Sequence, residues 1–336
     1  MKKVIGENQL QQEPYFVFQN FQNCTSSEQC NEVWADVRYV FECMRTWFQD
    51  LEVYSLVGFL MAQRRKHVEK KFKELAQLLM AERDKDNGSA RAGGGRETFV
   101  DELKGEVRKT ILPARGSVKN LSDLCERLRY DASNADEIFD VLLLFNIAVA
   151  MRHCSRYPFR MHKGVSWTRE HISAKNERAL EDADLERLLE EIGVEHKDGA
   201  NRIDEINVSL REAGDHDPCL KGIQVVRDES GACHLVDENL DVHGLGNMAL
   251  LGTCVNAKFN NGLFLEKRKI VEEWRPSSGA ELFPLATQMV YFKLFSTRNT
   301  LSWLWTAKDA EDYLDAIQTT LKKTFGFFED GKFAED

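Results

Sequence analysis

The segment Trp167-Thr168-Arg169-Glu170-His171-Ile172 places a carboxylate directly before an imidazole. Downstream stand Gly246-Asn247-Met248-Ala249-Leu250-Leu251, then Asn256-Ala257-Lys258, then Asn260-Asn261. A neutral imidazole titrates near 6.5 and can take a proton from water at neutral pH. A carboxylate and an amide are hard oxygen ligands of the kind Mg²⁺ binds while keeping several of its waters. A phosphodiester needs both devices, because negative charge grows in its transition state and a divalent cation stabilises that charge and the leaving oxygen. Each piece alone also fits a structural role, the Glu-His pair as part of a strand and Gly-Asn as a turn. Their order along the chain carries the chemical reading.

Positioning these residues takes particular elements. Val165 to Ile172 reads as a strand ending at the Glu-His pair, and Gly246 to Leu251 as a second short apolar strand. Before them the pattern is helical. Val33, Val37, Val40, Phe41, Met44, Trp47 and Phe48 recur at three and four residues, the stripe of an amphipathic helix. A long helix is expected over 53–82, a flexible loop over 84–98, shorter helices near 97–111 and 118–129, and a buried central helix over 135–153. Between the strands, the acidic stretch 179–213 reads as one or two exposed helices. Ile223 to Val226 and Cys233 to Val236, around Glu229-Ser230-Gly231, read as a hairpin. Helices near 264–274, 286–296 and 307–325 close the chain, the last started by Thr306 and Asp309. The expected class is α+β: a segment 1–28, a mainly α-helical domain 29–155, and a mixed domain 156–336.

The ordered series Glu170-His171, Asn247, Asn256 resembles the HNH, or ββα-metal, nuclease motif. Longer stretches join it: Leu143 to Ile147, Arg156 to Phe159, Trp167 to Asn176, Gly246 to Leu251, Asn256 to Lys269 and Trp305 to Leu314. As a series over about residues 30–325, they are similar to the C-terminal half of GmrSD-type restriction endonucleases. The resemblance implies a ββα-metal domain with a helical insertion and C-terminal helices. It implies His171 as general base, Asn247 as the clasp that aims it, and Glu170 with Asn256 as holders of Mg²⁺ (or Mn²⁺). Lys258, Lys267 and Arg268 would touch DNA phosphates, contacts that position without reading sequence; a solvated helix face is the alternative for these three. The implied setting is a cytoplasmic restriction or phage-defence system with a separate NTPase or sensor subunit. The alternative is a non-catalytic, partner-binding subunit that retains the nuclease fold.

Three departures from the family pattern stand out. Glu170 takes the place of a shorter Asp, Ala174 stands where many relatives have Pro, and 76 residues separate His171 from Asn247. The acidic segment 177–217 is therefore expected to be an insertion folded out of the way. It holds fourteen acids against five bases and accounts for most of the net charge of −10. Locally basic stretches at 64–73 and 258–269 leave a polyanion site possible despite that balance. His153, His162 and His243 are further metal-ligand candidates that the sequence does not rank. The family's Asp-Gly-Gln-Gln-Arg motif is missing, as are a GxxxxGK[ST] phosphate loop and a GxSxG elbow. Eight cysteines with no CxxC pair suggest reduced thiols. The longest apolar run, Ile138 to Met151, is broken by Asp140 and Asn146 and falls short of the roughly 18 residues of a membrane span.

Overall fold

The computed structural model describes residues 24–63, 95–112, 120–131, 133–174, 177–195, 201–275, 282–298, 301–302 and 304–327. The basic stretch 64–73 and most of the expected segment 1–28 lie outside these residues, as does the bulk of the expected loop 84–98. Among the described residues the fold is mixed, with helices and two two-stranded antiparallel sheets. The chain divides into two compact units.

The smaller unit contains residues 24–57 and 95–103. Helix α1 (Ser27–Gln49) starts where the Ser26 hydroxyl accepts the Gln29 N–H at 3.3 Å. Helix α2 (Leu51–Ala62) follows Asp50, whose carboxylate accepts the N–H groups of Glu52 and Val53. Trp47 is buried and stacks on Phe99 of helix α3 (Gly95–Ile111), with ring centroids 5.9 Å apart. The stripe expected on α1 is present as a face, but Val37, Phe41 and Met44 on it are exposed, Phe41 to 62%. Periodicity locates an apolar face and says nothing of what covers it.

The larger unit contains residues 58–63 and everything described from 104 onward. The division thus falls near residue 103, which corrects the expected boundary at 155. The cause is helix α5 (Ala135–Arg152), which follows the short helix α4 (Leu121–Arg127). Its residues from Ile138 to Ala150 are all buried. A helix apolar on every side needs neighbours all round. Here they are the strand β1 (Trp167–His171), the strand β4 (Met248–Gly252) and the helices α11 (Leu285–Tyr291) and α12 (Ala307–Phe325). One polar joint lies inside this core. The Asn146 amide donates to Leu142 O and accepts from Thr287 N–H, and the Thr287 hydroxyl donates to Leu250 O.

Strands β1 and β4 pair antiparallel, His171 opposite Met248 and Trp167 opposite Gly252. The short helix α6 (Phe159–His162) precedes β1, and helix α9 (Thr253–Phe259) follows β4 without a break. The turn 245–247 before β4 packs under α12. A Cβ at Gly246 would lie 2.4 Å from Ala310 O, so no side chain fits there. Helix α12 starts with the expected capping box, Thr306 and Asp309 bonding reciprocally.

Between β1 and the 245–247 turn lie helices α7 (Asp182–Glu191) and α8 (Arg202–His216) and the hairpin of β2 (Ile223–Arg227) and β3 (Cys233–Asp237). Their apolar faces form a second core with Leu185, Leu188, Ile206 and Val225, and this core takes in Leu263, Leu301 and Leu304 from the C-terminal part. The acidic segment is therefore packed into the unit, which corrects the expectation that it folds out of the way. Most of its acids are exposed while its leucines point inward; Asp184 is buried and paired with Arg178. Helix α10 (Phe264–Glu272) completes the unit.

Candidate active site

Alternation along β1 puts Thr168 and Glu170 on one face. Glu170 Oε1 accepts two hydrogen bonds, from the Thr168 hydroxyl at 2.8 Å and from Asn256 Nδ2 at 2.7 Å. Asn256 reaches it because α9 starts directly after β4 and turns back over the sheet within one helical turn. Glu170, His171, Asn256, Asn260, Asn261 and Lys267 line one cavity of about 180 Å³, with Ala174 and Phe259. Of the sequence-predicted residues, Glu170, His171 and Asn256 are thus brought together, although 86 positions separate the first from the last.

Asn247 lies just outside the cavity and is fully buried. Its Oδ1 accepts the Ser173 N–H, and its Nδ2 donates to Ser173 O and Val242 O. Its backbone O accepts the Ile172 N–H at 2.9 Å. These bonds clamp the chain leaving β1 to the chain entering β4 and fix where His171 stands.

Lys267 is 2% exposed and does not present its charge to solvent. Its ammonium donates to His171 O and Ile172 O at 3.1 and 2.9 Å. Burial lowers its pKa, while the charges of Glu177 and Glu170 oppose that shift. The expected phosphate contact at Lys267 is therefore corrected to an internal anchor for the end of β1. Arg268 is engaged as well, with Glu272 at 3.2 Å and Ser302 O at 3.1 Å. Lys258 remains exposed on α9, its ammonium 4.7 Å from the centre of the Trp274 ring.

Several residues around the cavity were missed or left unranked by sequence reasoning. Glu177 Oε1 accepts from the Ser173 hydroxyl and from the Ala174 N–H, a donor that a proline at this position would lack. Burial pushes the Glu177 pKa up, with Lys267 pulling it back. His243 Nδ1 lies 3.3 Å from His171 Nε2, and the Tyr130 ring packs edge-on against His171 at 4.9 Å. His162 and His153 are elsewhere. His162 is buried, bonded to the Tyr157 hydroxyl and stacked on Trp167, and His153 caps α5 through Val149 O.

The donor set around the cavity is one carboxylate, three side-chain amides and one imidazole. The carboxylate and the amides offer hard oxygen donors with room for water, which suits Mg²⁺ or Mn²⁺. Asn256 gives an N–H to Glu170, and the same amide turned end for end would set its oxygen beside that carboxylate. Among the described residues, no three His, Cys, Asp or Glu side chains converge into a metal-ligating group. The oxygen ligands lining the cavity are three amides and a single carboxylate. Comparison with protein-family models, with curated proteins and with solved structures gave no match to this chain.

Proposed function

We propose that the chain is a metal-dependent DNA endonuclease of the HNH, or ββα-metal, type, hydrolysing phosphodiesters as part of a restriction or phage-defence system. The observation that supports it best is the single cavity lined by Glu170, His171 and Asn256 on one strand–strand–helix unit. His171 takes the proton of the attacking water. Asn247 and Lys267 hold the backbone that carries His171. Glu170 and Asn256 hold Mg²⁺ or Mn²⁺, which when bound supplies positive charge to the scissile phosphate and the leaving oxygen. Lys258, exposed on α9, positions a DNA phosphate. Nucleotide handling belongs to a separate NTPase or sensor subunit.

Incubation of the full chain with supercoiled plasmid and Mg²⁺ or Mn²⁺ tests this. Nicking or cutting is expected, and His171→Ala should slow it by about 10²–10⁴-fold with unchanged far-UV circular dichroism. A variant that cuts as fast as the parent removes His171 from the role of base.

A second reading, a non-catalytic subunit that retains this fold and recruits a partner, draws on the exposed apolar residues Val37, Phe41 and Met44 of α1. A metal titration separates the two. A response to Mn²⁺ that Glu170→Ala abolishes supports the nuclease, and no response supports the partner-binding subunit.

A further inference from the structure

His243, a metal-ligand candidate in the sequence, has no part in the chemistry proposed above, yet the fold fixes its backbone closely. The Tyr130 N–H donates to His243 O at 2.8 Å, and Arg129 pairs with Gly244 as an isolated antiparallel bridge. Arg129 also bonds Asp241 at 2.6 Å, and Asn247 Nδ2 donates to Val242 O on the other side of the histidine. Each neighbour of His243 is thus tied either to the Arg129-Tyr130 segment or to the clasp. The result is a contact between two imidazoles, His171 Nε2 to His243 Nδ1 at 3.3 Å, with the rings at 72°.

A neutral imidazole carries one N–H, and the bond made by one nitrogen decides the state of the other. If His243 Nδ1 donated, His171 Nε2 would spend its lone pair in accepting. His171 Nδ1 would then carry the hydrogen, and the ring would have no basic nitrogen left for a proton from water. If His171 Nε2 donates, the lone pair lies on Nδ1 and the ring can act as a base. We infer that His243 is the positioning residue of the site: its Nδ1 accepts the Nε2–H of His171 and holds that ring in the tautomer whose lone pair is on Nδ1. The direction of this bond rests on the nuclease reading; the contact itself does not. Tyr130, packed edge-on against His171, limits rotation of the ring about its Cβ–Cγ bond.

Two measurements on the full chain test the inference independently of each other. Long-range ¹H–¹⁵N correlation spectra of histidine-labelled protein, assigned with His171→Ala and His243→Ala, report which nitrogens carry hydrogen. His171 protonated on Nε2 and His243 bare on Nδ1 is the expected result; the reverse pair of states overturns the inference whether or not the protein cuts DNA. In plasmid cleavage, His243→Ala should lower kcat by about 10–100-fold with KM unchanged, the size of effect expected from misplacing a catalytic group. His243→Asn, whose amide oxygen can accept the same hydrogen, should recover part of the loss, and His243→Phe should not. If His243→Ala cuts like the parent while His171→Ala is inactive, the positioning role falls and the nuclease reading stands. If His171→Ala cuts like the parent, the nuclease reading falls and the spectra alone decide the arrangement of the pair.

Discussion

Asn247 places a primary amide between two stretches of backbone that are 74 positions apart, with no exposure to water. Asn247→Ala leaves one N–H and two carbonyls of the surrounding backbone without that amide. Leaving a buried polar group unsatisfied costs about 1–3 kcal/mol each, and the loop can relax or admit water, so a loss of about 2–4 kcal/mol is expected. Asn247→Asp is nearly isosteric but keeps only the bond from Ser173 N–H and turns a carboxylate oxygen toward two carbonyls. It should be at least as unstable as the alanine variant. Urea denaturation checks both, and an aspartate variant as stable as the parent would contradict the clasp geometry. Residues of this kind are partly legible beforehand. The order of Glu170, His171, Asn247 and Asn256 was readable, and three of the four line one cavity. Lys267 was misread because it stands in a charged run, although Phe264, Lys267 and Val271 follow the three- and four-residue spacing of one helix face, and all three are buried. The weight of His243 was not readable, because the Arg129-Tyr130 segment, distant in sequence, and the Asn247 side chain fix its backbone beside His171.

At the scale of elements, the two strands, the central helix and the capped last helix were legible from alternation, uniform apolarity and the Thr-x-x-Asp signal. Helix α9 was not, because seven residues are too few to show a period. The attachment of the acidic segment was also hidden, since it joins residues distant in sequence through the shared core and through an ion-pair network. Arg178 donates to Asp184, in the first turn of α7, and to Glu266, in the first turn of α10, both at 2.7 Å. Burial works to raise the Asp184 pKa, but the bonds from Arg178 and the Glu181 backbone outweigh it and the pKa is lowered. Arg178 also lowers that of Glu266. A carboxyl whose pKa falls on folding stabilises the folded state at pH above its unfolded value. That contribution disappears as pH drops through the lowered folded value. Arg178→Met should therefore cost about 2–3 kcal/mol at pH 7, less than for a fully buried pair because Arg178 is partly exposed. The difference from the parent should shrink as pH falls below about 4. Urea midpoints at pH 7, 5, 4 and 3 measure it, and a gap independent of pH would show that the network contributes through packing rather than charge.

Across the larger unit, the second core decides whether the acidic segment is an appendage or a structural part. Net charge favoured the appendage, because fourteen acids in 41 residues look like a solvated surface. The structure instead uses the segment's apolar residues to cover Leu263, Leu301 and Leu304. Composition misled here because most of the charge is exposed on the same helices whose leucines are buried, with Asp184 the buried exception. If the segment is integral, it cannot melt first without exposing leucines of the C-terminal part, and the unit should unfold in one step. Leu188, fully buried on α7, is the place to test this. Leu188→Ala removes apolar volume from the second core and should cost about 2–5 kcal/mol. Residues 177–245 contain no tryptophan, whereas Trp167 and Trp305 are buried in the rest of the unit. Tryptophan fluorescence therefore reports on the part outside the segment, and far-UV circular dichroism reports on all helices. The two signals should lose their native values at the same urea concentration, and Leu188→Ala should shift both midpoints together. An earlier dichroism transition that Leu188→Ala moves while the fluorescence midpoint stays in place would mean the segment unfolds by itself, and the shared core would then contribute little to the stability of the site.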